Sequence, residues 1–355
     1  MKKLISISRV LLGLGLLACG ASAQDSVNPY KVLTTTQLMG TGGIDYVYAD
    51  NAGRRVYVPR GSQTFVFDLD SHKYVGAVTN VSGRGVAIDA KSHHGFTSSS
   101  PLGMFDTETL QKIKGIEVKG RPDGILQEPL TGNIYVFSHQ SPSITVVDPT
   151  EGTVVGTIDV GGAMEQAQSD GQGKLFVCVE DENKIAVVDV KTLKVITKYD
   201  LGEKGDGPGG LGLDAKNHIL FAMCHSKNCI VMNADDGKIL ATLPIGNGTD
   251  GGGFNPATME AFSSQGDGTL TIIKESSPTS FAVEQTVTTK PGCKTSSLDT
   301  KNNQIVLICT ERAPQAASAT NAPVAAATNG PAGGQRRGGG GRGGPGNLDV
   351  LWVGR

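Results

Sequence analysis

The stretch that decides the fold is Gly132–Gly162, GNIYVFSHQSPSITVVDPTEGTVVGTIDVGG. It holds three short runs rich in Val, Ile, Thr and Tyr, at Ile134–Phe137, Ile144–Asp148 and Val154–Val160, separated by two polar turns. Runs of this kind with turn residues between them predict a meander of antiparallel strands. A single small meander is only marginally stable in water, so the chain must repeat it.

The same pattern returns about every 40 residues along the chain. The residue that follows the third strand of each unit marks the repeat: Asp68, Asp106, Asp148, Asp189, Asn233 and Ile273. Four β-runs per unit at this period are typical of a propeller blade, and the 49 glycines disfavour helical repeats of similar length. We predict blades at about 41–80, 82–118, 120–160, 162–201, 207–245 and 248–289, and a seventh from Pro291.

The seventh blade is incomplete when its strands are read in order. Its first two strands are predicted at Lys294–Leu298 and Gln304–Cys309, and its third at Asn347–Val353. The missing fourth strand is available near the other end of the chain, at Lys31–Thr36. The sequence therefore predicts an all-β, seven-bladed β-propeller whose last blade is closed by an N-terminal strand, which removes the exposed edges of an open sheet.

Residues 1–23 have the features of a signal peptide. Lys2, Lys3 and Arg9 precede or flank an apolar run, and Ala21–Ala23 supplies an A-x-A cleavage site. The sequence around Cys19 also resembles a lipobox, which would make the protein a lipoprotein anchored at that residue. We expect a periplasmic or secreted protein in which residues 24–355 form a single propeller.

Residues 313–346 form a biased segment, first rich in Ala, Thr and Pro and then in Arg and Gly. The segment has too little apolar content to pack, so we predict a disordered insert between the second and third strands of blade seven. The formal net charge is −2, and both the leader and the insert are basic. The remaining body is acidic, so we expect no nucleic-acid binding, and no apolar run is long enough for a transmembrane segment.

One repeat resembles a known family. Val146–Thr150, followed by Gly152 and Val155–Ile158, is similar to the YVTN/YncE-like propeller repeat, and Ile134–Val136 and Ile185–Asp189 match it as well. The resemblance implies a propeller fold, and the family includes uncharacterised secreted proteins. Related propellers include lactonases and subunits of periplasmic redox enzymes, so the likeness implies no single activity.

The innermost strand of each predicted blade starts at the central channel. Counting five residues back from the first turn of each blade gives a charged residue in six of the seven blades: Asp45, Arg84, Asp123, Glu165, Asp250 and Lys294. The remaining blade, the fifth, has Gly209 at this position. Carboxylates that meet at a narrow channel mouth raise one another's pKa or hold a cation. Either a ligand-binding site or a ring of ion pairs between blades follows from this pattern.

Further polar residues are expected on the loops between the second and third strands, at the same face. These rim residues are Arg60, His139, Glu180 and His225. A histidine at a channel rim is a candidate general base or metal ligand.

Two disulfides are predicted in an oxidising compartment. Cys224 and Cys229 flank one hairpin turn, and Cys293 and Cys309 lie symmetrically about another. Cys178 is expected to be a buried thiol. No C-x-x-C-H haem motif is present.

These features leave two main functions open. The first is a non-catalytic, exported propeller that binds a small molecule or a protein of the cell envelope, acts as a monomer and requires no cofactor. The second is a metal-dependent, lactonase-type hydrolase in which a divalent cation, Ca²⁺ or Mg²⁺, is held by channel carboxylates, and the candidate ligands are Asp45, Asp123, Glu165 and Asp250. A third, weaker hypothesis is an accessory subunit of a periplasmic redox enzyme.

Overall fold

The computed structural model describes residues 28–312 and 345–355, and these residues form seven four-stranded antiparallel sheets. Blade one contains β2 (Tyr48–Asp50), β3 (Arg55–Arg60), β4 (Gln63–Asp68) and β5 (Tyr74–Thr79). Blade two contains β6 (Val86–Asp89), β7 (His94–Thr97), β8 (Leu102–Asp106) and β9 (Lys112–Ile116). Blade three contains β10 (Pro122–Gln127), β11 (Ile134–Ser138), β12 (Ile144–Asp148) and β13 (Thr153–Ile158). Blade four contains β14 (Met164–Ser169), β15 (Lys174–Val179), β16 (Lys184–Asp189) and β17 (Lys194–Asp200).

Blade five contains β18 (Pro208–Asp214), β19 (Ile219–Cys224), β20 (Asn228–Asn233) and β21 (Ile239–Pro244). Blade six contains β22 (Thr249–Asn255), β23 (Glu260–Gln265), β24 (Thr269–Ser277) and β25 (Ser280–Thr288). Blade seven contains β26 (Cys293–Asp299), β27 (Gln304–Arg312), β28 (Gly346–Gly354) and β1 (Lys31–Gly40). A short 3₁₀ turn, Glu180–Glu182, follows β15. The prediction of an all-β, seven-bladed propeller is confirmed.

The ring is closed in blade seven by the N-terminal strand. β1 pairs with β28 in antiparallel register from Lys31 opposite Gly354 to Gly40 opposite Gly346. β28 also pairs with β27, so the blade order is β26-β27-β28-β1. This confirms the predicted closure, and the strand is longer than the sequence indicated.

Side-chain acceptors explain why the repeat can be read from the sequence. An acceptor residue ends or directly follows the first strand of each blade and accepts a backbone N–H from two or three residues later: Asp50, Asp89, Glu128, Asp170, Asp214, Asn255 and Asp299. Such bonds favour a tight turn. The third strands of blades one to five end in the same way, for example at Asp148. In blade six, Ile273 offers no acceptor, and β24 continues to Ser277, so the predicted strand end there is wrong.

The apolar core lies between neighbouring blades. In the cluster between blades one and seven, Trp352 and Ile308 pack with Val58 and Phe67, and all four are fully buried. The outermost strands contribute little to this core, since β13 exposes Val154 and the residue that follows it. Burial of both faces of the inner strands fixes their position around the axis.

Three inner strands, β18, β22 and β26, approach one another unusually closely. A Cβ on Gly210 would lie 2.6 Å from the carbonyl carbon of Gly251, and a Cβ on Gly251 would lie 2.9 Å from the Cα of Thr295. Real Cβ atoms are not accommodated at such distances from backbone. These glycines therefore serve the close packing of inner strands around the axis.

The predicted cysteine pairs have different outcomes. Cys293 and Cys309 lie opposite each other in register and form a disulfide. The predicted Cys224–Cys229 disulfide is wrong, because both thiols are free. Cys229 lies opposite Met223, one residue before Cys224, so the two thiols point to opposite faces of the sheet and into different core clusters. Cys178 is a buried thiol, as expected.

Several predictions lie outside the described residues. They are the signal peptide at 1–23, the lipid anchor at Cys19 and the insert from residue 313 to residue 344. The last residue of the predicted insert, Gly346, is described and begins β28. Within the described ranges, no helix is long and apolar enough to cross a membrane.

Candidate functional site

The predicted charged residues converge at one mouth of the central channel. The first strands of neighbouring blades contact one another and line the axis. Six side chains lie at or just before the starts of these strands; we call them the channel ring: Asp45, Arg84, Asp123, Glu165, Asp250 and Lys294. Ion pairs and hydrogen bonds connect six of the seven blades through this ring.

Arg84 and Lys294 neutralise one side of the channel ring. Arg84 Nη1 lies 2.6 Å from Asp45 Oδ2 and 2.9 Å from Asp123 Oδ1. Lys294 Nζ contacts Asp250 Oδ2 and lies 3.7 Å from Asp45 Oδ1. Asp45 therefore lies between two cations, and Asp250 shares one of them.

His139 joins the other two carboxylates. Its Nε2 lies 2.9 Å from Glu165 Oε1 and 3.2 Å from Asp123 Oδ2. The Tyr46 hydroxyl lies beneath the same pair, 2.9 Å from Glu165 Oε2 and 3.2 Å from Asp123 Oδ2. The sequence placed His139 only at the rim, whereas the structure brings it into direct contact with the channel ring.

Burial and mutual repulsion displace the pKa of two ring carboxyls. Burial, reinforced by the charge of Asp123, raises the pKa of Asp45 to about 6. Burial raises the pKa of Glu165 to about 7, although His139 opposes this shift. Burial would also raise the pKa of Asp123, but His139 and Arg84 outweigh it and hold that pKa below its ordinary value. The positive charges of the ring therefore do not fully compensate the negative charge of its four carboxylates when all are ionised.

Two neighbours compete for the protonation state of His139. Burial alone would lower its pKa, but Asp123 and Glu165 outweigh burial and raise the pKa to about 10. Arg121 Nη2 contacts Nδ1 from the solvent side, which favours a neutral ring with an accepting Nδ1. The two buried carboxylates favour a protonated His139 more strongly than the one exposed guanidinium disfavours it, so we take the imidazolium as the prevailing form at neutral pH.

The residues that directly follow the channel ring determine what lies below it. This position is Gly in four blades, whereas Tyr46, Gln166 and Thr295 carry side chains there. Gln166 Oε1 accepts from the backbone N–H groups of Leu211 (3.0 Å) and Gly252 (2.9 Å). Its Nε2 donates to the Gly252 carbonyl oxygen at 2.8 Å. The ring therefore has a built floor in which side chains from some blades cross to the glycine-containing strands of others.

This floor was missed by sequence reasoning, although a signal existed. At the position after each ring residue, two glycines stand between successive larger residues, Tyr46, Gln166 and Thr295. Gly124 lies against the Tyr46 hydroxyl, with which a Cβ on Gly124 would be in van der Waals contact at 3.7 Å. Reading that position across all blades would have identified Tyr46 and Gln166.

The remaining rim residues behave differently from one another. His225 Nε2 lies 3.5 Å from Glu180 Oε1, and this contact raises the pKa of His225 and lowers that of Glu180. Arg60 is not a rim residue, which corrects the prediction. Its guanidinium is buried and donates to the carbonyl oxygens of Gly40, Gly42 and Gly346, so it fastens the closing strand of blade seven.

The four carboxylates proposed as cation ligands do not form one set. Within residues 28–312 and 345–355, ligand atoms of Asp123, His139 and Glu165 all lie within 4.8 Å of one another, and no other group of three His, Cys, Asp or Glu side chains does so. Asp45 and Asp250 are instead engaged by the ring cations.

The fold and the charged channel mouth define the class of this protein as a seven-bladed β-propeller. No family model matches the chain, and no curated protein matches its sequence. Among solved structures, a chain from the crystal structure of a mitotic checkpoint complex is similar, with 14% sequence identity and a TM-score of 0.68. The match covers 84% of this chain and 95% of that chain, and at this identity it shows the fold alone.

Proposed function

We propose that the protein is an exported, non-catalytic β-propeller that binds a small polar ligand at the channel ring. The observation that carries this proposal is the convergence of charged side chains from six blades at one mouth, above a floor of side chains. The ring cations are not sealed from solvent, because the Arg84 side chain is 31% exposed and that of Lys294 is 37% exposed. A ligand can therefore reach both signs of charge.

The balance of charge indicates which ligands should bind best. Asp45 and Glu165 have raised pKa values because their negative charges are incompletely compensated in a buried setting. A ligand with a positively charged amine would stabilise the ionised carboxylates, and its own polar groups could bond to Arg84 or Lys294. We propose small amine-bearing polar molecules as the preferred class.

A thermal-shift panel tests this function on the mature protein. Amines, amino acids, dicarboxylates and neutral sugars are each added, since a ligand that binds the native state raises the melting temperature. We expect shifts with amine-bearing compounds that are lost in Asp45→Asn, and the shifts of amines that also carry a carboxylate should be lost in Lys294→Met, which removes the cation that would bind it. Lys174→Met is the matched control, because its ion pair with Asp235 (3.1 Å) is exposed and remote from the ring. No shift with any compound, or a shift that survives both ring variants, refutes the proposal.

Export is a separate part of the proposal and rests on the leader sequence and the resemblance to YVTN/YncE-like repeats. A periplasmic or secreted protein processed after Ala23 is expected, acting as a monomer. Mass spectrometry of the purified protein and of its N-terminal peptide tests both cleavage at this position and lipidation at Cys19. An unprocessed N-terminus in the cytosol would contradict export.

A protein of the cell envelope is an alternative ligand for the same face. The similar solved propeller belongs to a multi-protein complex, which favours protein binding as an outcome to be tested. Affinity capture from envelope extracts, compared between the wild type and Lys294→Met, separates this alternative from small-molecule binding.

A metal-dependent, lactonase-type hydrolase is the second candidate function. The grouping of Asp123, His139 and Glu165 favours it, because a metal there could polarise a carbonyl and lower the pKa of a bound water. Hydrolysis of γ- and δ-lactones with added divalent metals tests this function. Activity that is absent in wild type, or that persists in Glu165→Gln, excludes catalysis at this group.

A further inference from the structure

We infer that Asp123, His139 and Glu165 form a site for a divalent first-row transition ion, with Zn²⁺ as the probe. This inference refines the cation proposed at the channel mouth and rests on the same site as the proposed function. It changes both the ligand set and the class of ion from those that the sequence suggested.

The two distances from the histidine nitrogen to the carboxylate oxygens fit one small ion. Two ligands at about 2.0–2.1 Å from a tetrahedral zinc lie about 3.3 Å apart. His139 Nε2 lies 2.9 Å from Glu165 Oε1 and 3.2 Å from Asp123 Oδ2, and neither contact has the geometry of a hydrogen bond from Nε2. All three ligand atoms lie within 4.8 Å of one another, so a small ion could be accommodated between them once the two carboxylates close on it.

The second oxygen of each carboxylate faces another group: Asp123 Oδ1 faces Arg84 in an ion pair without hydrogen-bond geometry, and Glu165 Oε2 accepts a hydrogen bond. Arg84 Nη1 lies 2.9 Å from Asp123 Oδ1, and the Tyr46 hydroxyl donates to Glu165 Oε2 at 2.9 Å. Asp123 Oδ2 and Glu165 Oε1 are then the oxygens directed at the histidine. Groups that hold the outer oxygen of a ligating carboxylate are typical of built metal sites, because they orient the ligand. The Tyr46 hydroxyl also lies 3.2 Å from Asp123 Oδ2, and it would keep only its bond to Glu165 when the ion binds.

Burial distinguishes this group from a surface cluster. The Asp123 side chain is 3% exposed, and those of His139 and Glu165 are 14% and 17% exposed. When the ion displaces the imidazolium proton from Nε2, His139 is neutral and the two carboxylates offer two negative charges to a divalent ion, of which Arg84 offsets part. An imidazole ligand also favours a transition ion, since Ca²⁺ and Mg²⁺ take oxygen ligands.

Arg121 opposes the ion in this arrangement. A metal on Nε2 requires the proton to remain on Nδ1, which Arg121 Nη2 now contacts. The Arg121 side chain is exposed, so it can move aside, but its charge weakens metal binding. Removal of this guanidinium should therefore tighten binding of an ion beside His139.

The experiment is calorimetric titration of tag-free, metal-stripped protein with Zn²⁺. We expect one equivalent to bind, with an affinity reduced roughly tenfold or more in Glu165→Gln and in His139→Ala. In Arg121→Ala the affinity should rise by roughly threefold to tenfold. His218→Ala and His93→Ala are the controls, because His218 pairs with Asp235 (3.0 Å) and His93 lies near Glu108 (3.4 Å), and neither histidine contacts the channel ring. Both controls should bind like the wild type.

Zinc-edge X-ray absorption of the wild-type complex gives a readout that does not depend on variants folding. It should show oxygen and nitrogen ligands with a single imidazole. Binding that survives Glu165→Gln and His139→Ala, an affinity unchanged or weakened in Arg121→Ala, or a spectrum with two or more imidazoles overturns the inference. Absence of zinc binding also overturns it, whereas amine binding at the channel ring in the thermal-shift panel would still stand.

Discussion

Replacing Glu165 with Gln should change how the stability of the protein depends on pH. Burial raises the pKa of Glu165 from 4.5 to about 7, so the native state holds this proton more tightly than the unfolded chain does. The stabilisation is complete below about pH 4.5 and is lost as the pH rises through 7. A displacement of this size corresponds to about 3 kcal/mol of unfolding free energy.

The assay is urea denaturation of the wild type and Glu165→Gln at several values between pH 4.5 and pH 8. The amide is neutral throughout, so the difference in unfolding free energy between the two proteins should shift by about 3 kcal/mol in favour of the variant as the pH rises. Thermal midpoints measured at the same pH values provide a second readout.

Glu180→Gln is the matched control with the opposite sign. A hydrogen bond from His225 lowers the pKa of Glu180, so its contribution is present above the unfolded pKa and is lost as the pH falls. If the difference between wild type and Glu165→Gln does not vary with pH, or varies in the same direction as for Glu180→Gln, the electrostatic description of the channel ring is refuted.

Three further predictions concern the scaffold. Arg60→Met should lower the unfolding free energy by roughly 2–4 kcal/mol because buried carbonyl oxygens lose their donor, and amide exchange in the closing strand should accelerate. Arg54→Ala should cost about 3 kcal/mol in urea denaturation, since the fully buried Asp299 loses its cation and keeps only hydrogen bonds from Asn302 and the Lys301 backbone, and Arg54→Leu with Asp299→Asn should recover part of the loss. Replacing Cys293 and Cys309 with Ser opens a disulfide with a sequence separation of 16 and should cost about 3 kcal/mol; an equal melting temperature with and without reductant would contradict this.

The fold could be predicted because turn-forming residues recur at equivalent positions in the blades and mark the strand ends. Acceptors such as Asp50 and Asp148 end strands by bonding to backbone N–H groups within three residues, and such local bonds depend on sequence alone. The residues of the channel ring could be predicted for the same reason, because each lies five residues before the turn residue of its blade and therefore at an equivalent position along the first strand. Ile273 shows the limit of this method, because β24 runs on where no acceptor ends it.

The errors concern contacts that depend on register across strands or on distant parts of the chain. Cys224 and Cys229 differ from a true cross-strand pair by one residue, and one residue reverses the face to which a side chain points. Arg60 was placed at the rim by its loop position, but its partners Gly40 and Gly346 come from both ends of the described chain. The contact of His139 with Glu165 likewise joins neighbouring blades and has no local signature.

The pairing of β1 with β28 has a consequence for how the molecule is made. Thr36 lies opposite Val350, so blade seven cannot be completed until the final strand has been synthesised. Until then blade one lacks the core that it shares with blade seven, and β1 has no partner strand. Contacts this distant in sequence slow folding, so ring closure should be the late and slow event in the maturation of the protein. Once β1 has paired with β28, the ring is closed, and cleavage of a surface loop in another blade need not open it.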